Sequence, residues 1–322
     1  MKEVNKYIGG YFGLETSNGK EYHQTASESL NTARNCLEYI LKSRKYSKIY
    51  LPYYMCKVLL EPIKKIGINY TFYELDNKLE PIISDKINIG EALLYINYFG
   101  LKQNTVIKFA KNKSIPNLII DNSQAFFAPP ILKENIDTFY SARKFFGVPD
   151  GAYLYTTKKI KIEEISKSSD KCSHLLKRID NDIKSGYIDF QKNENKLVEK
   201  PIMKMSYLTK KILRSIDYER VKSIRINNYK ILEKELSCKN KISLILEKDS
   251  VPMIYPYYTE DLNLRGKLIE NNIFVAKYWP DIKEWSRINI NGINFADHII
   301  PLPIDQRYSE VEMDRIISFI KK

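Results

Sequence analysis

Short apolar runs that alternate with helix-length amphipathic segments constrain this chain more than any other feature. KIYLP (48–52), NYTFYELD (69–76), ALLYINYFG (92–100) and NLIID (117–121) read as strands, and 92–100 and 117–121 are hydrophobic on both faces. A strand apolar on both faces belongs inside a sheet that is covered above and below, which is the signature of parallel sheets. Between these runs lie helical patterns. Residues 27–43 place Leu30, Ala33, Leu37 and Ile40 on one face, and 54–67 and 105–116 follow the same period. Two more strands, 134–141 and 151–157, flank a turn containing Gly147, Pro149, Asp150 and Gly151. The expectation is an α/β fold with a mainly parallel sheet.

The pattern changes after residue 158. Residues 159–237 read as mostly helical, ending in a long amphipathic stretch over 206–236. From 241 onward, short strands (ISLIL, PMIYPYY, IFVAK) alternate with helices (TEDLNLRGKLIEN, SEVEMDRIISFIKK), as in a smaller α+β domain. At 322 residues the chain can bury one large core and a second, smaller one.

Composition narrows the function. The formal net charge is +13, yet the lysines are spread along the chain. The densest stretch, 158–178, is interrupted by acidic residues and reads as a solvated helical face. The 24 tyrosines fall at core-like spacing within strands and helices. Nucleic acid is therefore not the expected partner, whereas an excess of positive charge suits small phosphorylated ligands. No apolar run approaches the roughly 18 residues of a membrane span, and the first residues lack the apolar core of a signal peptide. A cytoplasmic protein is expected. Four scattered cysteines and three histidines without ligand spacing argue against a metal site or a disulfide framework. The dinucleotide, Walker A and zinc-protease motifs are absent. Ser141-Ala-Arg-Lys144 satisfies the S-x-x-K pattern of penicillin-binding proteins, but the companion K-T-G and S-D-N motifs are missing.

In open α/β sheets, ligands sit at the carboxyl ends of the strands. Asp121 ends the run NLIID, Gln124 follows three residues later, and Lys144 lies 23 residues beyond Asp121 on the turn after IDTFYS. A pyridoxal-phosphate (PLP) site needs such a pair. The lysine ammonium condenses with the cofactor aldehyde, and the carboxylate keeps the pyridine nitrogen protonated so that the ring withdraws electrons. On spacing alone, a surface lysine and a helix-capping aspartate are the simpler explanation. The helix start near Thr32 offers unpaired N–H groups and a positive dipole end to an anion; an ordinary N-cap made by Asn31 or Thr32 is the alternative.

The block IIDNSQAFFA followed by DTFYSARKFFGVPDGAYL resembles the D-x-x-Q-A…S-x-x-K-x-x-x-x-x-(D/E)-G-(G/A) signature of the DegT/DnrJ/EryC1/StrS sugar aminotransferases. That family is a branch of the fold-type-I PLP enzymes. SLNTARNCLEYIL, IYLPYYMCKVLLEPIKKIG, INYFGL and PLPIDQRYSEVEMDRII also resemble family segments. The resemblance implies a fold-type-I large domain over residues 1–218, with an N-terminal arm, and a smaller C-terminal α+β domain over 219–322. It implies that Lys144 is the Schiff-base lysine and proton shuttle, that Asp121 partners the pyridine nitrogen, and that Gln124 lies near the cofactor phenolate oxygen. Thr32, Ala33 and Arg34 match the loop whose amides meet the phosphate, and Ser141 is a further candidate phosphate ligand.

The chain departs from the family in three places. Cys56 stands where the family often has an aromatic stacked on the pyridine ring, which leaves Tyr53 or Tyr54 for stacking. The segment 202–206 lacks the asparagine that reaches into a partner subunit's site, leaving Ser206 or Lys204. VAKYWP (275–280) replaces a histidine common in the sugar-binding loop. The implied reaction is a two-step transamination, with glutamate as amino donor and a keto sugar, usually nucleotide-linked, as acceptor, in amino-sugar and surface-polysaccharide biosynthesis. A homodimer with shared active sites is also implied. Two alternatives are a PLP-dependent sugar dehydratase, against which Lys144 stands, and a non-catalytic or regulatory relative.

Overall fold

The computed structural model describes residues 8–285 and 291–321. Its strands, in chain order, are β1 (Glu28–Leu30), β2 (Lys48–Pro52), β3 (Asn69–Leu75), β4 (Pro81–Ile82), β5 (Glu91–Ile96), β6 (Leu118–Asp121), β7 (Ile136–Ser141), β8 (Ala152–Tyr155), β9 (Ile254–Tyr258) and β10 (Ile299–Pro303). The first eight form one sheet in the order β1-β8-β7-β6-β5-β2-β3-β4. The pairings from β7 through β6, β5 and β2 to β3 are parallel. The edges are closed by antiparallel pairs, β7 with β8, β8 with β1, and β3 with β4. The central strands carry the runs that are apolar on both faces: Leu93, Leu94, Leu118, Ile119 and Ile120 are all buried. This is the expected α/β architecture.

The helices are α1 (Ala33–Arg44), α2 (Leu60–Ile66), α3 (Gln103–Lys111), α4 (Ser173–Asp180), α5 (Tyr187–Lys196), α6 (Tyr207–Arg214), α7 (Tyr218–Leu236), α8 (Leu264–Glu270), α9 (Ile282–Trp285), α10 (Asn291–His298) and α11 (Glu310–Lys321). Helix α1 buries Leu37, Ile40 and Leu41 and packs on α2, β7 and β8. Its last turn is fixed by Arg44, whose Nε and Nη2 donate to both oxygens of the buried Asp137 carboxylate on β7 at 2.9 and 2.7 Å. Helices α7 and α11 pack together, and α7 also contacts β9 of the small antiparallel β9–β10 sheet.

Several expected elements differ. Residues 242–246 alternate in burial, with Ile242 and Leu244 buried and Ser243 and Ile245 exposed, but they form no strand. The Leu244 carbonyl instead accepts from Tyr229 Oη at 2.8 Å. Residues 273–277 likewise form no strand. The strand expected over 92–100 stops at Ile96, because Phe99 turns the chain at φ 58° and ends the ladder. Residues 159–168 and 197–206 are not helical; 203–205 run beside β1, with Asn31 N donating to Met203 O and Met205 N to Ser29 O.

Candidate active site

The register of the central strands decides where the chemistry gathers. Asp121 is the last residue of β6 and pairs with Ile96 of β5 on one side and Phe139 of β7 on the other. Its carboxylate is buried and accepts from Ser123 N at 2.8 Å. Burial pushes the Asp121 carboxyl above the usual aspartate range, against the hydrogen bonding of Ser123 and the nearby charge of Lys144, which both pull it down.

Strand β7 runs straight into a 3₁₀ turn, Ala142–Lys144. Two hydrogen bonds tie this turn to the start of α1: Ala142 N donates to Gly151 O at 3.1 Å, and Gly151 N donates to Asn31 O at 2.7 Å. Gly151 has φ +119°, a region that side chains rarely adopt, and an added Cβ would lie 2.9 Å from Thr209 Cγ2. The neighbouring Asp150 is fully buried and accepts from Ser206 Oγ at 2.8 Å and from Thr209 Oγ1. The Asp150-Gly151 pair thus has a local job: it locks the Lys144 turn against the entry to α1. On the other side, Gln306 Nε2 donates to Phe145 O at 2.7 Å, and Gln306 Oε1 accepts from the buried Arg225 at 3.1 Å.

These elements bring Thr32, Ala33, Arg34, Cys56, Asp121, Gln124, Ser141 and Lys144 around one cleft of about 230 Å³. Lys144 is exposed at its rim and also borders cavities of about 420 and 330 Å³, so it stands where three spaces meet. Tyr54 is a correction. Its side chain is fully buried behind the cleft, packed against Tyr98, Trp279 and Phe295, because the chain after Pro52 turns this tyrosine into the core. Tyr53 stacks on Phe72, away from the cleft. Ser206 caps α6 and is buried on Asp150, while Lys204 is exposed and its backbone pairs with Glu164 and Ser166.

The donors fit a phosphorylated heteroaromatic ring. Thr32 is the N-cap of α1, its Oγ1 accepting from Asn35 N at 3.2 Å. The first N–H groups of a helix have no intrahelical acceptor, and Ala33 and Arg34, the first two residues of α1, line the cleft. The Arg34 side chain is taken by Glu61, which leaves the backbone as its contribution. Gln124 Oε1 accepts from Phe99 N at 2.9 Å, and among the described residues its buried Nε2 has no partner. A buried amide nitrogen with no acceptor for its hydrogens is costly unless something accepts from it. An oxygen substituent on a ring seated between Asp121 and Lys144 would do so.

Seven lining residues were missed in the sequence: the apolar Val58, Leu59 and Ile96, together with Ser123, the ion-paired Arg143 and Glu194, and Trp279. Arg143 and Ser123 were adjacent to recognised positions. Glu194 comes from α5, whose place over the cleft no sequence pattern reveals, and Trp279 lies in the segment that departs from the family. Among the described residues no cluster of metal-ligating side chains is found, and no helix is long and apolar enough to cross a membrane.

No family model and no curated protein sequence matches the chain. Solved structures do. The sugar aminotransferase CalS13 from Micromonospora echinospora is 14% identical, with 91% of this chain and 86% of that one covered and a TM-score of 0.62. A DegT DnrJ EryC1 StrS aminotransferase from Brucella abortus is 14% identical over 91% of this chain and 84% of that one, with a TM-score of 0.61. NtdA from Bacillus subtilis, with bound cofactor PMP, is 12% identical over 91% of this chain and 72% of that one, with a TM-score of 0.63. The fold is therefore the fold-type-I PLP-transferase fold of these aminotransferases, with its mainly parallel large sheet and a smaller C-terminal α+β part.

Proposed function

We propose that the chain is a PLP-dependent sugar aminotransferase of the DegT/DnrJ/EryC1/StrS family. One observation carries this reading: Asp121, Lys144, Gln124 and the amino end of α1 converge on a single cleft at the carboxyl ends of β6 and β7. The fold shared with CalS13, and with NtdA holding PMP, supports it.

Bound there, PLP would supply an electron sink for moving an amino group and a proton. The chain's residues would do the rest. Asp121, held by Ser123, keeps a proton on the ring nitrogen. Gln124 Nε2 would donate to a ring oxygen. The Ala33 and Arg34 amides and Ser141 hold the phosphate. Lys144, on a turn locked by Gly151 and Gln306, would hold the cofactor's aldehyde end, and its amine would be the group placed to take and give a proton at the substrate carbon.

The same reading takes glutamate as donor and a nucleotide-linked keto sugar as acceptor, in amino-sugar or surface-polysaccharide synthesis in the cytoplasm. The larger cavity beside Lys144 supports a diphosphate there, since Arg178 and Arg307 line it. A homodimer with shared sites belongs to this reading. Exposed Tyr11, Phe12 and Leu14 on the N-terminal arm and Leu176, Ile179 and Ile188 on α4 and α5 offer apolar surface for it. The division at residue 218 into a cofactor-binding and a smaller domain is likewise part of it. The direct test adds PLP to the purified protein, records the visible absorbance, then adds glutamate. Loss of the visible band with glutamate supports the donor; an unchanged band removes glutamate from the proposal.

A further inference from the structure

Among the described residues only one aromatic side chain lines the cleft that holds Asp121 and Lys144, and it is Trp279. The apolar remainder of that wall is thin and aliphatic, made by Cys56, Val58, Leu59 and Ile96. We propose that Trp279 is the side chain against which the flat face of a bound pyridine ring packs. The proposal rests on the cofactor reading of this cleft and goes beyond it, because it assigns the ring's wall to a C-terminal segment rather than to the loop after β2.

Three independent observations hold the indole in that place. Trp279 is nearly buried yet reaches the cleft, and its ring meets Tyr54 edge-on at 4.6 Å and 67°, with Tyr98 edge-on behind at 6.0 Å and 63°. Tyr278 lies stacked beside the indole at 5.7 Å and 28°, and Trp279 lines the cleft from among these rings. Secondly, Trp279 has φ 52°. A bulky side chain in the left-handed region is strained and persists only where the surroundings over-determine it, commonly at ligand sites. Thirdly, the segment is pinned beside Cys56. Lys57 Nζ meets Asp281 Oδ1 at 2.6 Å, and Trp285 Nε1 donates to Tyr53 O at 3.3 Å. The loop after β2 thus supplies the anchor, and the aromatic surface arrives from residue 279. An electron-rich indole face suits a ring that carries a proton on its nitrogen.

The test uses 4-deoxypyridoxine 5′-phosphate, which keeps the ring and phosphate but lacks the aldehyde, so its binding does not require Lys144. Affinity is measured by calorimetry for the wild type, Trp279→Phe and Trp279→Leu, together with the melting temperature of each without ligand. Trp279→Phe is expected within about threefold of wild type, and Trp279→Leu weaker by about tenfold or more. Equal affinity in the wild type and the leucine variant overturns the proposal, as does equal weakening in both variants, which marks a packing role alone. Should Trp279→Leu not fold, the visible circular dichroism of PLP bound to Trp279→Phe decides: a changed spectrum at unchanged absorbance supports the contact, and an unchanged one overturns it. A wild type that binds neither this probe nor PLP brings down the cofactor reading itself, and this proposal with it.

Discussion

Asp121 and Lys144 enter one cleft from neighbouring parallel strands, the first as the last residue of β6 and the second three residues beyond the end of β7. The parallel register Asp121↔Phe139 sets the relationship, and it survives only while the Lys144 turn stays fixed. Each end of the pair makes a separate prediction.

Asp121, the proposed partner of the ring nitrogen, is buried at a cost in stability. Because burial raises its carboxyl above the usual aspartate range, the native state binds the proton more tightly than the unfolded chain. Its stabilising share is present below that range and is lost as pH rises through the raised value, so the charged group opposes folding at neutral pH. Asp121→Asn should therefore raise the melting temperature of the ligand-free protein at pH 7 while lowering the transamination rate by about 100-fold or more. A variant that melts lower and reacts at the wild-type rate contradicts both roles.

Gly151 joins the two ends of the site, receiving Ala142 N and donating to Asn31 O. At φ +119°, with Thr209 2.9 Å from an added Cβ, Gly151→Ala should cost about 1–3 kcal/mol. Chemical denaturation measures that loss. Since the strain falls between Asn31 and Ala142, PLP affinity should fall along with it, whereas an alanine at a remote loop position would leave affinity unchanged.

His23 gives the pH dependence a source outside the site. It is buried with Nε2 2.7 Å from Phe126 O and Nδ1 3.1 Å from Tyr155 Oη. Tyr22, Phe126, Tyr140 and Tyr153 pack around the ring. Burial lowers its pKa from 6.5 to about 4. Below pH 6.5 the unfolded chain takes up the proton first, so stability present at neutral pH drains away as pH falls toward 4, by on the order of 3 kcal/mol. Urea unfolding of the wild type and His23→Gln across this range should show the smaller slope in the variant; parallel curves would assign the acid loss elsewhere.

The strands were legible because burial on both faces leaves a continuous apolar run, as in residues 92–96 and 118–121. Asp121 and Lys144 were legible because a strand end and a following turn have sequence marks of their own. Tyr54 was not. Three closely spaced candidates, Tyr53, Tyr54 and Cys56, follow Pro52, and which one faces the cleft depends on how the chain packs against Tyr98 and Phe72. The wall at Trp279 depends on a contact across more than two hundred residues, which no local pattern encodes. The run 242–246 has strand composition and alternating burial, yet forms no strand, and pairing is a tertiary property.

The central claim is that Lys144 anchors PLP in the cleft it shares with Asp121. Titrating PLP into the purified protein and into Lys144→Ala, with absorbance read in the visible and bound cofactor fixed by borohydride and mapped by mass spectrometry, tests it most directly. A visible band in the wild type, its loss in Lys144→Ala and label on Lys144 are the expected results. A wild type that stays colourless with PLP, or label that maps to another lysine, would contradict the account.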